Sequence, residues 1–121
     1  MKIIGIEKGL SSKELDFGDR YLILDAVPGR TWASIFEKQY SNYHSPNKRK
    51  VTLQNDNLIV KCPADELQAL IYTLNGIVKA VDEEIEAMRL RAEQQAQEQA
   101  RREAEQKKKA DDVYDNLNFD S

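Results

Sequence analysis

From Asp65 to Ala110 the chain contains no proline and a single glycine, Gly76, and most of its residues are strong helix formers. This stretch predicts one helix of about 45 residues, roughly 65–70 Å long. Pro63 suits its first turn, where a missing N–H is not needed, and Asp65 and Glu66 set negative charge near the positive end of the helix dipole. Everything else the chain folds into must be built from what comes before.

The long helix changes character along its length. Leu67, Ile71, Leu74, Val78, Val81, Ile85, Met88 and Ala92 recur at alternating spacings of four and three, a heptad seam. Leu70 and Ile77 widen the apolar face of its first turns, so Leu67 to Val81 is expected to cover a sheet. Ile85, Met88 and Leu90 are expected near the domain edge, where Ile85 and Met88 are candidates for contact with another chain. Beyond Ala92 the seam fails, because Gln95, Gln99 and Arg102 stand at its positions. Alanines and i,i+4 pairs such as Glu98 with Arg102 then support a solvated helix, or a bundle of several copies.

The preceding residues read as ββαββ. Lys2 to Glu7 supplies β-branched bulk for a strand, and Gly9 to Asp19 is polar and turn-rich, a surface loop. Tyr21 to Val27 is a continuous apolar run, which predicts a central strand covered on both faces. Thr31 offers a helix cap, and Trp32, Ile35, Phe36, Tyr40 and Tyr43 share one helical stripe. Val51 to Gln54 and Leu58 to Cys62 flank Asn55-Asp56-Asn57, residues that tolerate the positive φ of a hairpin turn. The fold class is therefore α+β: a small, mainly antiparallel four-stranded sheet in the order ββαββα, with both helices on one face. Residues 1–90 are expected to form the globular domain, 91–110 a charged helical extension, and 111–121 an acidic, disordered tail.

Composition excludes several functions. The single cysteine, Cys62, rules out an internal disulfide, and one cysteine with one histidine, His44, is too few for a protein-built zinc site. Cys62 ends an apolar strand, where a thiol is usually a small buried hydrophobe, and His44 lies in a polar loop. The glycines never cluster into a phosphate-binding loop, and the paired carboxylates fall on a helix face or the tail, where water solvates them. No enzyme, metal or cofactor is expected. The early Glu7 argues against a secretory segment, and no apolar run approaches the roughly 18–20 residues of a membrane span, so the expected location is the cytoplasm.

Two segments remain as binding candidates. Tyr43, Lys48, Arg49 and Lys50 in the loop before the hairpin combine aromatics with three consecutive bases, a pattern able to grip phosphates and stack a base. The alternative is a solvated loop guarding an edge strand with lysine. The tail is the less expected segment: Val113, Tyr114, Leu117 and Phe119 stand among four aspartates. Disordered tails are normally poor in such residues, so Tyr114, Leu117 and Phe119 are candidates to dock in a groove on a protein partner. The segment resembles the acidic C-terminal peptides by which bacterial single-stranded-DNA-binding proteins recruit partners. Those end on the apolar residue, whereas this chain ends Phe119-Asp120-Ser121, and the family is not carried over. The leading expectation is a non-catalytic interaction protein of a bacterial or phage assembly, self-associating or recruiting a partner. A nucleic-acid accessory protein is the alternative.

Overall fold

The computed structural model describes residues 1–46 and 48–120. Asn47 of the basic loop and Ser121 of the tail lie outside the described residues. In chain order the elements are β1 (Ile3–Ile6), β2 (Gly18–Leu24), α1 (Arg30–Asn42), β3 (Val51–Gln54), β4 (Asn57–Cys62), a 3-10 turn at Ala64–Glu66, and α2 (Leu67–Asp115). The four strands form one antiparallel sheet in the order β1-β2-β4-β3. The α+β class and the ββαββα order are as the sequence implied.

Side-chain alternation decides which face holds the core. Leu22 and Leu24 of β2 and Leu58, Val60 and Cys62 of β4 point to one face and are buried. There they meet Trp32, Ile35, Phe36 and Tyr40 of α1 and Leu74, Ile77, Val78 and Val81 of α2 in a single cluster. Each fully buried aliphatic side chain contributes roughly 1.5–3 kcal/mol, so this cluster is what holds the small sheet together. Leu67 to Val81 does cover the sheet, with Leu67, Leu70 and Ile71 partly buried beside the cluster.

The strand β2 departs from expectation in two ways. It is central, but only one of its faces is covered: Tyr21 and Ile23 are half-buried on the opposite face, beside Ile59 of β4. Both helices lie on the Leu22 side, so the apolar run reflects packing between neighbours on an open face and not a second layer. The strand is also shifted toward the N-terminus, from the expected Tyr21 to Val27 to Gly18–Leu24. Its register with β4 runs from Gly18↔Cys62 to Ile23↔Asn57, and beyond Asn57 the partner has turned away. Asp25 to Val27 therefore have no ladder to join on that side.

Smaller differences concern caps and turns. The cap of α1 is Gly29, not Thr31: no side chain caps this helix, and the Ala33 amide donates to the Gly29 carbonyl. The hairpin turn uses two residues, with Asn57 already in β4, and Asn55 alone takes a left-handed φ of 54°. Pro63 caps the 3-10 turn that leads into α2.

The chain divides into a unit from Met1 to Ile85 and a second from Glu86 onward. The second is helical to Asp115, five residues past the Ala110 at which helical patterning was expected to stop. Among its described residues none is buried, and ion pairs hold its surface: Arg89 with Glu86 and Glu93, and Arg101 with Glu98 and Glu105. Such exposed pairs contribute a few tenths of a kcal/mol each.

Candidate binding site

Among the described residues the outer side of β3 has no strand neighbour, and the hydrogen-bond pattern shows what that edge offers. Lys61 donates its amide to the Lys50 carbonyl, so Lys50 and Lys61 are a hydrogen-bonded pair. Such pairs alternate along an antiparallel ladder, which turns the N–H and C=O of Thr52 toward β4. The N–H and C=O of Val51 and Leu53 therefore face outward. Alongside this edge, on the helix side of the sheet, lies an open hollow of about 640 Å³. Phe36 and Tyr40 of α1 and Val51 and Leu53 of β3 are its apolar lining, and Lys48, Arg49 and Lys50 stand at its rim. That volume falls within the roughly 300–1,000 Å³ usual for binding clefts.

The aromatic stripe of α1 builds one wall. Trp32, Phe36, Tyr40 and Tyr43 stack in a row, with centroid separations of 5.4, 6.3 and 6.3 Å. The Tyr40 hydroxyl donates to the Arg49 carbonyl and pins the basic loop to the helix. Burial pushes the Tyr40 pKa up, with Tyr43 adding to the effect, so the phenol stays protonated and remains a donor.

The structure separates the three loop bases. Arg49 is taken up within the fold: its guanidinium donates twice to Glu66, both at 2.8 Å, and lies 4.6 Å from the Phe17 ring centroid. Hydrogen bonds from Arg49 hold the Glu66 carboxyl below its ordinary range, with desolvation opposing them. A lowered carboxylate pKa contributes stability present above the unfolded value and lost as pH falls through the folded one. Lys48 lies 4.7 Å from the Tyr40 ring centroid and donates to the Ser41 carbonyl. Lys48 and Lys50 are exposed, Tyr43 is half-buried against Tyr40, and His44 is exposed. The four residues proposed for nucleic-acid contact thus lie on one loop, but only the two lysines present their charges to solvent.

The tail candidates are exposed: Val113 at 60%, Tyr114 at 65%, Leu117 at 51% and Phe119 at 86%. Val113 and Tyr114 belong to the last turn of α2, whereas Leu117 to Asp120 lie outside any helix. Met88 is exposed, and Ile85 is partly buried against the core cluster, so Ile85 belongs to the body more than to any free surface.

Sequence reasoning missed Arg20. It points into the core side of β2 and is buried to 4% exposure, and among the described residues its hydrogen-bond partners are all main-chain carbonyls. Its guanidinium donates to the main-chain carbonyls of Ser12, Glu14 and Asp16 at 2.8, 2.6 and 2.9 Å, and more weakly to that of Cys62. Its spacing of two and four residues from Leu22 and Leu24, which sets it on their face of the strand, was the available signal.

Cys62 is fully buried, and burial raises its thiol pKa. It is thus a protonated, inaccessible thiol. We expect it to resist alkylation in the native protein and to react only as fast as the domain opens; rapid labelling without denaturant would contradict this. Among the described residues, no cluster of three or more histidine, cysteine or carboxylate side chains is placed to hold a metal ion. Nor is any helix among them long and apolar enough to cross a membrane.

No family model, no curated protein and no solved structure matches this chain.

Proposed function

We propose that this protein is a non-catalytic interaction protein, a component of a larger assembly, in which the acidic-aromatic segment at the end of α2 engages a groove on a protein partner. The observation that carries this reading is the exposure of Val113, Tyr114, Leu117 and Phe119 together on a segment that also bears four aspartates. Large apolar side chains clustered in water are costly, and they become favourable once a partner covers them. The aspartates add long-range attraction to a basic rim, which raises the rate of encounter and fixes its specificity.

The reading predicts a separation of stability from capture. Deleting residues 111–121 is expected to abolish partner capture and leave the thermal midpoint of the body within a degree or two. Replacing Tyr114, Leu117 and Phe119 by alanine does the same. Removing the aspartates weakens capture chiefly at low salt, where screening is least. If the deleted chain retains every co-purifying protein, the reading is wrong.

A further inference from the structure

The free edge of β3 and the tail have matching chemistry. The edge offers two outward N–H and C=O sets, at Val51 and Leu53, beside a hollow lined by Phe36 and Tyr40 and rimmed by Lys48 and Lys50. The tail offers Leu117-Asn118-Phe119-Asp120, a non-helical stretch in which apolar and polar residues alternate. In an extended strand, alternate side chains fall on one face. Leu117 and Phe119 would therefore share a face, and the four residues equal β3 in length.

We infer that the tail of one copy adds to the β3 edge of a second copy as an antiparallel fifth strand. This rests on the reading of the tail as a recruitment segment, and names its partner. One register satisfies the chemistry. It sets Leu117 opposite Leu53, Asn118 opposite Thr52, Phe119 opposite Val51 and Asp120 opposite Lys50. Phe119 then exchanges main-chain hydrogen bonds with the outward-facing groups of Val51, and Leu117 with those of Leu53 once its amide leaves the Tyr114 carbonyl, to which it donates at 3.3 Å. Strand partners in direct opposition point to the same face of a sheet. Because Val51 and Leu53 pack toward the core, Leu117 and Phe119 enter the hollow beside Phe36 and Tyr40. Asn118 falls on the solvent face with Thr52, which is exposed. Asp120 meets Lys50, whose charge Arg49 does not share, since Glu66 already occupies that guanidinium. Main-chain pairing supplies affinity here, and the two side-chain positions supply specificity.

The occupant is a second copy because its tail carries both halves of the complement, apolar alternation and negative charge, in the register the edge requires. The association is heterologous, tail to edge, so copies join head to tail and form a closed ring or an open chain.

The test is sedimentation of the full chain at low salt over a wide concentration range. Concentration-dependent association is expected. The Leu117→Ala, Phe119→Ala pair should weaken it about tenfold or more, a change equivalent to at least 1.4 kcal/mol. Val51→Pro removes one outward N–H while leaving the β4 side of the ladder intact, and should also abolish association. The thermal midpoint, read alongside, shows whether that variant still folds. Lys50→Glu should weaken association, and mixing it with Asp120→Lys should restore it. That rescue is specific to the register, and its absence overturns the assignment. A chain that stays monomeric at every concentration, or one whose association survives the tail substitutions, overturns the proposal. If the monomeric chain still captures another protein through its tail, the reading under Proposed function stands and only the second-copy assignment falls.

Discussion

Trp32→Ala is expected to unfold most of the protein at room temperature, or to lower its midpoint by some tens of degrees. Trp32 is 6% exposed, begins the aromatic row of α1 at 5.4 Å from Phe36, and donates its indole N–H to Asp82 at 2.8 Å. Truncating a buried tryptophan costs about 3–5 kcal/mol through lost transfer energy and the cavity left behind. A body of this size has about 4–13 kcal/mol in total. The indole contact also ties helices together: the other oxygen of Asp82 accepts from the Met1 amino group at 2.8 Å, so one carboxylate on α2 holds both α1 and the start of β1. Trp32→Phe retains a ring that can stack on Phe36 and loses the hydrogen bond and the remainder of the indole, so its cost should fall below that of alanine, to about 1–3 kcal/mol. Chemical denaturation followed by circular dichroism distinguishes the two. Equal costs for both variants would show that the stacked ring contributes little, and that the hydrogen bond and the rest of the indole carry the stability.

Arg20→Ala should have the next largest effect, about 3 kcal/mol or more, and it should be concentrated in one loop. Burying a guanidinium is tolerated here because four main-chain carbonyls solvate it. Three of these belong to the loop between β1 and β2, which has little core of its own: Leu10, Leu15 and Phe17 are exposed. Hydrogen bonds to a charged donor contribute about 1.5–3 kcal/mol each, though not additively. Removing the side chain therefore releases residues 8–17 as well as leaving a cavity. Gly18 adds to the closeness of the approach, since a Cβ there would fall 2.5 Å from the Ser12 side chain. Hydrogen exchange should show amides of this loop losing protection while β4 retains much of its own. Arg20→Lys keeps the charge but cannot reach the three loop carbonyls at once, so it should fail nearly as badly. Uniform loss of protection across the sheet would mean that Arg20 acts on the core and not on the loop.

How much of this was legible in the sequence depended on the range of the interaction. The helical stripe of Trp32, Ile35, Phe36 and Tyr40, the seam of α2 and the Asn55 turn are local periodicities, and each was readable. The end of β2 was not, because it is set by where β4 turns back rather than by the apolar run itself. The apolar outer positions Tyr21 and Ile23 suggested a second covering layer, whereas both are only half-buried on an open face, with Tyr21 directly opposite Ile59. At the candidate site the sequence identified the basic loop and the acidic tail separately. It gave no means of seeing that Arg49 is spent on Glu66 and Phe17, or that β3 is an open edge beside an apolar hollow. Those facts depend on strand order, which no local pattern encodes.

If the tail engages the β3 edge of another copy as proposed, the two must come close in solution. Paramagnetic broadening between copies reads that approach. Asn118→Cys carries a nitroxide on the tail, and Cys62, fully buried, stays unlabelled. This chain is mixed with an isotope-labelled copy that bears no spin label. Broadening of the labelled copy's amides is expected at Glu37, Tyr40 and Lys50 to Leu53, reversed by salt and by Leu117→Ala with Phe119→Ala. Broadening centred on Ile4, Tyr21 and Ile59 of the open sheet face, or none at all, would contradict it.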